Sequence, residues 1–342
     1  MKKIGVVLGG MSTEHDVSII SGTSVINNLS KEKYKIYPIY IDQNGIWYEY
    51  LYNVNKSQFI HSIDKIKIIE NVFSYLKNLD VIFPVLHGKY GEDGSIQGIF
   101  EIINVPYVGC KILASSLGMD KVYSKIIFDR AGIKQSKYCY LKKIKNEYIY
   151  VNKDLSEIKL KLVDISKKIE ENFAYPIFIK PSNGGSSIGI NKVNNKIELK
   201  EAIEYASRYD EKIIVEEEIR GREIECAILG NEDPVASKPG EIIPGEEFYS
   251  YNAKYKNSES KIIIPAQIGM TEEIQKLAIK AFKAIDGRGL ARVDFFVTKD
   301  DIYINEINTI PGFTNISMYA KLWKEAGIEY EQLLDKLIEL AM

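Results

Sequence analysis

The sequence predicts an α/β protein, α+β in parts, of two or three domains and opened by a parallel sheet. Three observations predict it. The chain has 342 residues, too many for one ordinary core at about 100–200 residues per domain. Its beginning reads strand, helix, strand, the pattern of a parallel βαβ unit. Near its end, two strand-like runs flank a short turn and read as an antiparallel hairpin.

The elements follow in order. Residues 4–8 are a short apolar run ending at Gly9-Gly10, and Ser12-Thr13-Glu14 opens a helix to about residue 29, with Glu14 in or near its first turn. Residues 34–41 read as the second strand. Residues 81–86 are another buried strand ending at His87-Gly88, and after a Gly-rich loop a helix runs from Ser95 to about Ile103. The Glu14 and His87 loops both lie at carboxyl ends of strands, where open α/β sheets bind ligands. A helix then leads to Met119-Asp120-Lys121. Strand-like pieces and a lysine-rich helix fill 134–169. A strand at 176–180 enters a glycine-rich loop at 181–189, and 190–193 pairs back. A helix at 196–208 and a strand at 213–217 lead to the last region, which holds Glu223 to Leu229, a Gly/Pro-bearing segment at 239–264, a helix at 271–286 and the hairpin.

Bulk properties exclude several classes. A net charge of −2 supplies no basic footprint for nucleic acid or an anionic membrane. Cys110, Cys139 and Cys226 are odd in number and have no CxxC spacing, so they read as thiols of a reducing compartment. The first residues lack the pattern of a secretory signal, and no apolar run reaches the length of a membrane span. The expectation is a soluble, cytoplasmic enzyme.

The hairpin carries the chemistry. Arg292 and Asp294 share one face of its first strand, and Glu306 and Asn308 share a face of the second. Two carboxylates and an amide converge there with one guanidinium. Hard oxygen ligands of this kind suit Mg²⁺, so the reading is metal-dependent phosphoryl transfer. The loop from Lys180 to Gly189 has three glycines and three serines. Glycines let backbone N–H groups approach phosphate, and serines add hydroxyl donors. It is not a Walker A loop, because Lys180 precedes the glycines, nor a dinucleotide GxGxxG. A plain hairpin tip is the alternative; Lys180 and the downstream carboxylates favour the phosphate-covering reading.

Taken together, these blocks resemble the ATP-grasp superfamily, and specifically D-alanine–D-alanine ligases. The resemblance rests on 9–18, 87–94, 180–189, Ala253-Lys254-Tyr255, Arg292-Val293-Asp294 and 305–314, all in this order. It implies three domains, at 1–110, 111–212 and 213–342, with ATP between the second and third. It implies Lys121, Lys180 and Ser187 at the ATP phosphates, Glu216, Glu217, Glu218 and Ile219 at the adenine, and Glu223 at the ribose. Asp294, Glu306 and Asn308 match ligands of two Mg²⁺ ions, for which Mn²⁺ can substitute, with K⁺ a candidate monovalent ion. Glu14 is implied at the ammonium of the first D-alanine, joined to Ser186 and Tyr255 in a hydrogen-bonded triad. His87 lines that site, Lys254 beside Tyr255 is implied as a further substrate-binding residue, and Ser317 and Met318 match positions around the second D-alanine. Arg292 and Gly312 match the groups that bind the oxygen of the tetrahedral intermediate. A homodimer is also implied, as is a role in peptidoglycan precursor synthesis.

The expected reaction joins two D-alanines at the expense of ATP, through an acyl phosphate, under a lid formed by 239–264. Rival readings are a D-alanyl-D-serine ligase, a D-alanyl-D-lactate ligase (against which Tyr255 speaks), a nucleotide-binding regulator without turnover, and a nicotinamide-dependent oxidoreductase. Elsewhere, His61 reads as a surface histidine, His15 as a local structural residue, Glu92 and Asp93 as caps of the helix near Ser95, and Trp47 and Trp323 as packing residues.

Overall fold

The structure, a computed structural model, describes all residues except Asn146, Lys153, Ser187 and 245–260. Strand β1 (Lys2–Gly9) is buried from Ile4 to Gly9, as a strand covered on both faces requires. It lies between β2 (Tyr34–Ile41) and β5 (Val81–Pro84), parallel to both. Helix α1 (His15–Asn28) makes the crossover from β1 to β2. Two antiparallel strands, β3 (Trp47–Tyr50) and β4 (Ile66–Ile68), extend this sheet, so the expected parallel sheet is a parallel core with an antiparallel edge. The short α2 (Val72–Leu76) precedes β5, and α3 (Ser95–Ile103) follows it.

Helices α4 (Ile112–Met119) and α5 (Lys121–Arg130) connect to a second sheet. Its strands are β6 (Tyr138–Ile144), β7 (Glu147–Val151), β8 (Glu157–Leu160), β9 (Ile177–Pro181), β10 (Asn191–Val193) and β11 (Lys212–Glu217). They run in the order β10-β9-β11-β6-β7-β8, all antiparallel. Helices α6 (Leu162–Glu170) and α7 (Lys196–Ala206) cover it. β11 is an inner strand here, so the second sheet extends past residue 212 to Glu217.

The third sheet contains β12 (Arg222–Leu229), β13 (Val235–Ala236), β14 (Gly240–Ile243), β15 (Lys261–Ile263), β16 (Leu290–Val297) and β17 (Ile302–Asn308). Helix α8 (Thr271–Ala284) covers one face with α4 and α5, joining Phe282, Phe128 and Val293 in one core. Helices α9 (Met318–Glu325) and α10 (Tyr330–Leu340) close the chain. Tyr319, Leu333 and Leu337 share a core with Ile4 and Ile26 of the first sheet layer and Leu229 of the third. Among the described residues, no helix is long and apolar enough to cross a membrane.

Candidate active site

Three loops meet where these sheets converge. Because β1 and β5 are parallel neighbours, the Glu14 and His87 loops leave the same edge of the first sheet. Ser12 fastens them: its Oγ donates to the His87 carbonyl at 2.6 Å and accepts from the Glu14 N–H at 3.1 Å. Glu14 sits at the N-cap of α1, buried, as an acid at a helix N-terminus should be favoured to do. His87 is buried between Ser21 Oγ (3.0 Å) and the Ile310 carbonyl (3.1 Å). Burial pushes its imidazole below the usual range, against the pull of Glu14.

Glu92 departs from its expected place. It turns away from α3 and accepts from the Gly88 N–H at 2.8 Å; Asp93 alone stands at the helix start, accepting from the Ser95 N–H at 3.0 Å. Burial, then the nearby Glu14, pushes the Glu92 carboxyl up to about 8. His61 also differs from expectation. It is half-buried, hydrogen-bonded to the Tyr50 hydroxyl and tilted against Tyr40 at 4.7 Å between centroids. His15 is local and structural, bonded to the Gly10 carbonyl and near the Tyr40 hydroxyl.

The glycine-rich loop between β9 and β10 reaches this edge. Its Ser186 hydroxyl donates to Glu14 Oε1. The loop is anchored behind by Asp120, the N-cap of α5, which accepts from Ser182 Oγ at 2.6 Å and from Lys212. These partners hold the Asp120 carboxyl below its usual value although burial acts the other way. Lys121 spans the junction, with Nζ 2.7 Å from the Gly184 carbonyl and 3.2 Å from Glu306 Oε2. A Cβ added at Gly185 would lie 2.5 Å from Glu14 Oε2, and one at Gly88, where φ is +75°, would lie 2.6 Å from it. Only a residue without a side chain lets the loop come this close. Gly185→Ala is therefore expected to push the loop off Glu14 and to lower stability by about 1.5–3 kcal/mol, the loss of one charged hydrogen bond. Thermal denaturation checks this; an unchanged melting temperature would mean that the loop accommodates the methyl group.

The hairpin is as the strand alternation predicts. β16 and β17 are antiparallel, with Arg292 opposite Asn308 and Asp294 opposite Glu306. Arg292 forks onto Asp294 with two contacts of 2.7 Å, and Asn308 Nδ2 donates to Asp294 Oδ2 at 3.0 Å. β12 adds an acid the sequence reading passed over: Glu225 lies opposite Asp294 and 3.0 Å from Arg292 Nε. Among the described residues, no three His, Cys, Asp or Glu side chains form a metal cage alone. Asp294, Glu306 and Asn308 instead offer two half-buried carboxylates and an amide oxygen. That partial set fits Mg²⁺, which is usually held by one or two carboxylates and completed by substrate phosphates and water. Beyond the hairpin, Gly312 and Ser317 flank a turn in which Ser317 Oγ accepts from the Thr314 N–H at 3.0 Å. Ser317 stands at the N-cap position of α9 with its hydroxyl turned to Thr314, and Met318 is buried at the helix's first position.

The remaining expected nucleotide residues line the end of β11 and the start of β12. Glu216 is buried and bonded to Lys180 (2.8 Å), Lys125 (2.7 Å) and Ser136 (2.8 Å). Burial would raise its carboxyl, but the two ammonium groups outweigh that and hold it well below the usual range. Glu217 accepts from the Lys137 N–H, and Glu218 from Arg220 and Lys192. Ile219 and Glu223 are half-buried. Ser187, Lys254 and Tyr255, and most of the expected lid, lie outside the described residues.

Two family models cover most of the chain: the D-ala D-ala ligase N-terminus matches residues 3–110 and the D-ala D-ala ligase C-terminus matches 127–339. The chain belongs to the D-alanine–D-alanine ligase family. The D-alanine–D-alanine ligase of Acetivibrio thermocellus is 48% identical, over 100% of this chain and 96% of its own length. Solved ligases share the architecture. The VanG D-Ala:D-Ser ligase of Enterococcus faecalis superposes with a TM-score of 0.84 at 38% identity, covering 100% of this chain and 99% of that one. The D-alanine–D-alanine ligase of Bacillus anthracis complexed with ATP gives 0.75 at 30% identity, covering 100% and 97%. The chain is thus a mixed α/β ATP-grasp ligase of this family, and ATP and D-alanine are the family's substrates.

Proposed function

We propose that this ligase joins two D-alanines to D-alanyl-D-alanine through an acyl phosphate, releasing ADP and phosphate, for peptidoglycan precursor synthesis. The observation that carries the reading is the meeting of the Glu14 loop, the glycine-rich loop and the Asp294–Glu306 hairpin at one place, bonded through Ser186 and Lys121. A carboxylate is a poor electrophile, so its oxygen first attacks the γ-phosphorus of ATP and the bond to ADP breaks. The amine of the second D-alanine, having lost a proton, then attacks the acyl carbon, and phosphate leaves with the carbon–oxygen bond.

Each residue has a part in this reading. Lys121, Lys180 and Ser187 hold the phosphates, Glu216 to Ile219 face the adenine, and Glu223 takes the ribose. Asp294, Glu306 and Asn308 would hold two Mg²⁺ ions, whose chemistry is to neutralise charge on the phosphates. Glu14 pairs with the first D-alanine's ammonium, positioned by Ser186 and by Tyr255 of the lid, with Lys254 beside it. His87, kept neutral by burial, lines this subsite. Ser317 and the first N–H groups of α9 receive the second carboxylate, which helix N-termini favour, and Met318 bounds its side chain. Arg292 and the Gly312 N–H take the oxyanion. The enzyme works in the cytoplasm as a homodimer of three-domain subunits.

A second reading, D-alanyl-D-serine synthesis, is favoured by the likeness to the D-Ala:D-Ser ligase of Enterococcus faecalis. A pocket rejects an added hydroxyl by only about 10²-fold in comparable cases. Phosphate release from Mg-ATP with D-alanine alone, and with D-serine or D-lactate added, tests both, with products identified by mass. D-alanine alone is expected to give the dipeptide. A mixed product with no turnover on D-alanine alone would transfer the chain to the second reading.

A further inference from the structure

Lys125 follows Lys121 by one helical turn, on the apolar stripe of α5 between Val122 and Phe128. Only 2% of its side chain is exposed. A lysine is almost never buried to this extent unless it is paired. Its partner is Glu216 Oε1, at 2.7 Å, and Ser136 Oγ accepts from it at 3.0 Å. The other oxygen of Glu216, Oε2, lies 2.8 Å from Lys180 Nζ, whose side chain is 13% exposed.

Two ammonium groups therefore share one carboxylate, and the cluster keeps one positive charge in excess. Without Lys125, Glu216 and Lys180 would form a neutral pair, and an anion approaching Lys180 would have to compete with a buried carboxylate for it. With Lys125 in place, Lys180 can turn to an anion without stranding an uncompensated buried charge, a strongly unfavourable state. We propose that Lys125 is a positioning residue for the nucleotide: it neutralises Glu216 from behind, so that Lys180 presents its full charge to the polyphosphate. This rests on the reading of Lys180 as a phosphate ligand.

The readout is the ratio of MgADP affinity to adenosine affinity, measured calorimetrically on the full-length protein; it isolates the phosphates and needs no turnover. Lys125→Met is expected to lower the ratio by about tenfold or more, within the range of close charge pairs, and Lys125→Arg to retain most of it. The double variant Lys125→Met/Glu216→Gln is expected to regain the ratio, because the carboxylate charge is gone too. A purely structural role predicts that adenosine affinity falls equally and that the double variant is no better than the single. Either result overturns the proposal. Should Lys125→Met fail to fold, Glu216→Gln and the double variant are compared instead: equal ratios are expected, and a tenfold further loss in the double overturns it. Lys180→Met separates the two levels. An unchanged ratio in that variant removes Lys180 from the phosphate site; a lowered ratio there, with Lys125→Met unchanged, sinks the role of Lys125 alone.

Discussion

Arg292→Ala is expected to lower kcat by about 10²-fold or more, the loss seen when one preorganised oxyanion donor is removed. The guanidinium is held in place by Asp294 and Glu225 before any substrate arrives, so it needs no rearrangement at the moment charge develops. The same contacts mean that alanine leaves two half-buried or buried carboxylates without their counter-charge, and some stability is lost with activity. Arg292→Lys separates the two effects. It keeps the charge but not the planar fork, so the melting temperature should recover while kcat stays low. Phosphate release with D-alanine and Mg-ATP measures the first, thermal denaturation the second. Near-normal turnover by the alanine variant would take Arg292 out of the mechanism.

Glu14→Gln is expected to raise the KM for D-alanine by about 30-fold or more, as removal of one partner of a buried charge pair does, with little change in the KM for ATP. Glutamine keeps the shape and can still accept from Ser186, so the glycine-rich loop stays docked. What disappears is the charge that the proposed reading sets against the ammonium. Two-substrate kinetics gives the answer, and a rise confined to ATP would place Glu14 at the nucleotide instead.

The parts of this molecule legible in its sequence are those made by neighbours along the chain. The βαβ opening, the start of α3 at Ser95, the return of β10 along β9 and the hairpin of Arg292, Asp294, Glu306 and Asn308 all follow from short-range periodicity and turn signals. Contacts between distant segments were hidden. His61 reads as a surface residue because Tyr40 and Tyr50 reach it from β2 and β3, through contacts that the residues around it do not announce. Glu92 follows Gly88 rather than the helix beside it, because the loop folds back on itself. Lys125 and Glu225 did carry local signals, a lysine on an apolar helical stripe and an acid two residues from Glu223 on one strand face. Both were outweighed by the louder motifs nearby. The sheet membership of β11 depends on pairing with β9 and β6, which no local pattern encodes.

The described cores divide unevenly. The first and third sheets are welded by a shared apolar core under α9 and α10, whereas the second sheet has a core of its own. Its glycine-rich loop reaches the other two largely through polar clasps, Ser186 on Glu14 and Lys121 between Gly184 and Glu306. Clasps of this kind can part without wetting oily surface, so the loop can lift from Glu14 and Glu306 while the sheet behind it stays anchored to α5 through the apolar contacts of Val122, Tyr140 and Ile214. Salt weakens ionic clasps while leaving apolar cores untouched, so the hold of this loop depends on ionic conditions as well as on shape.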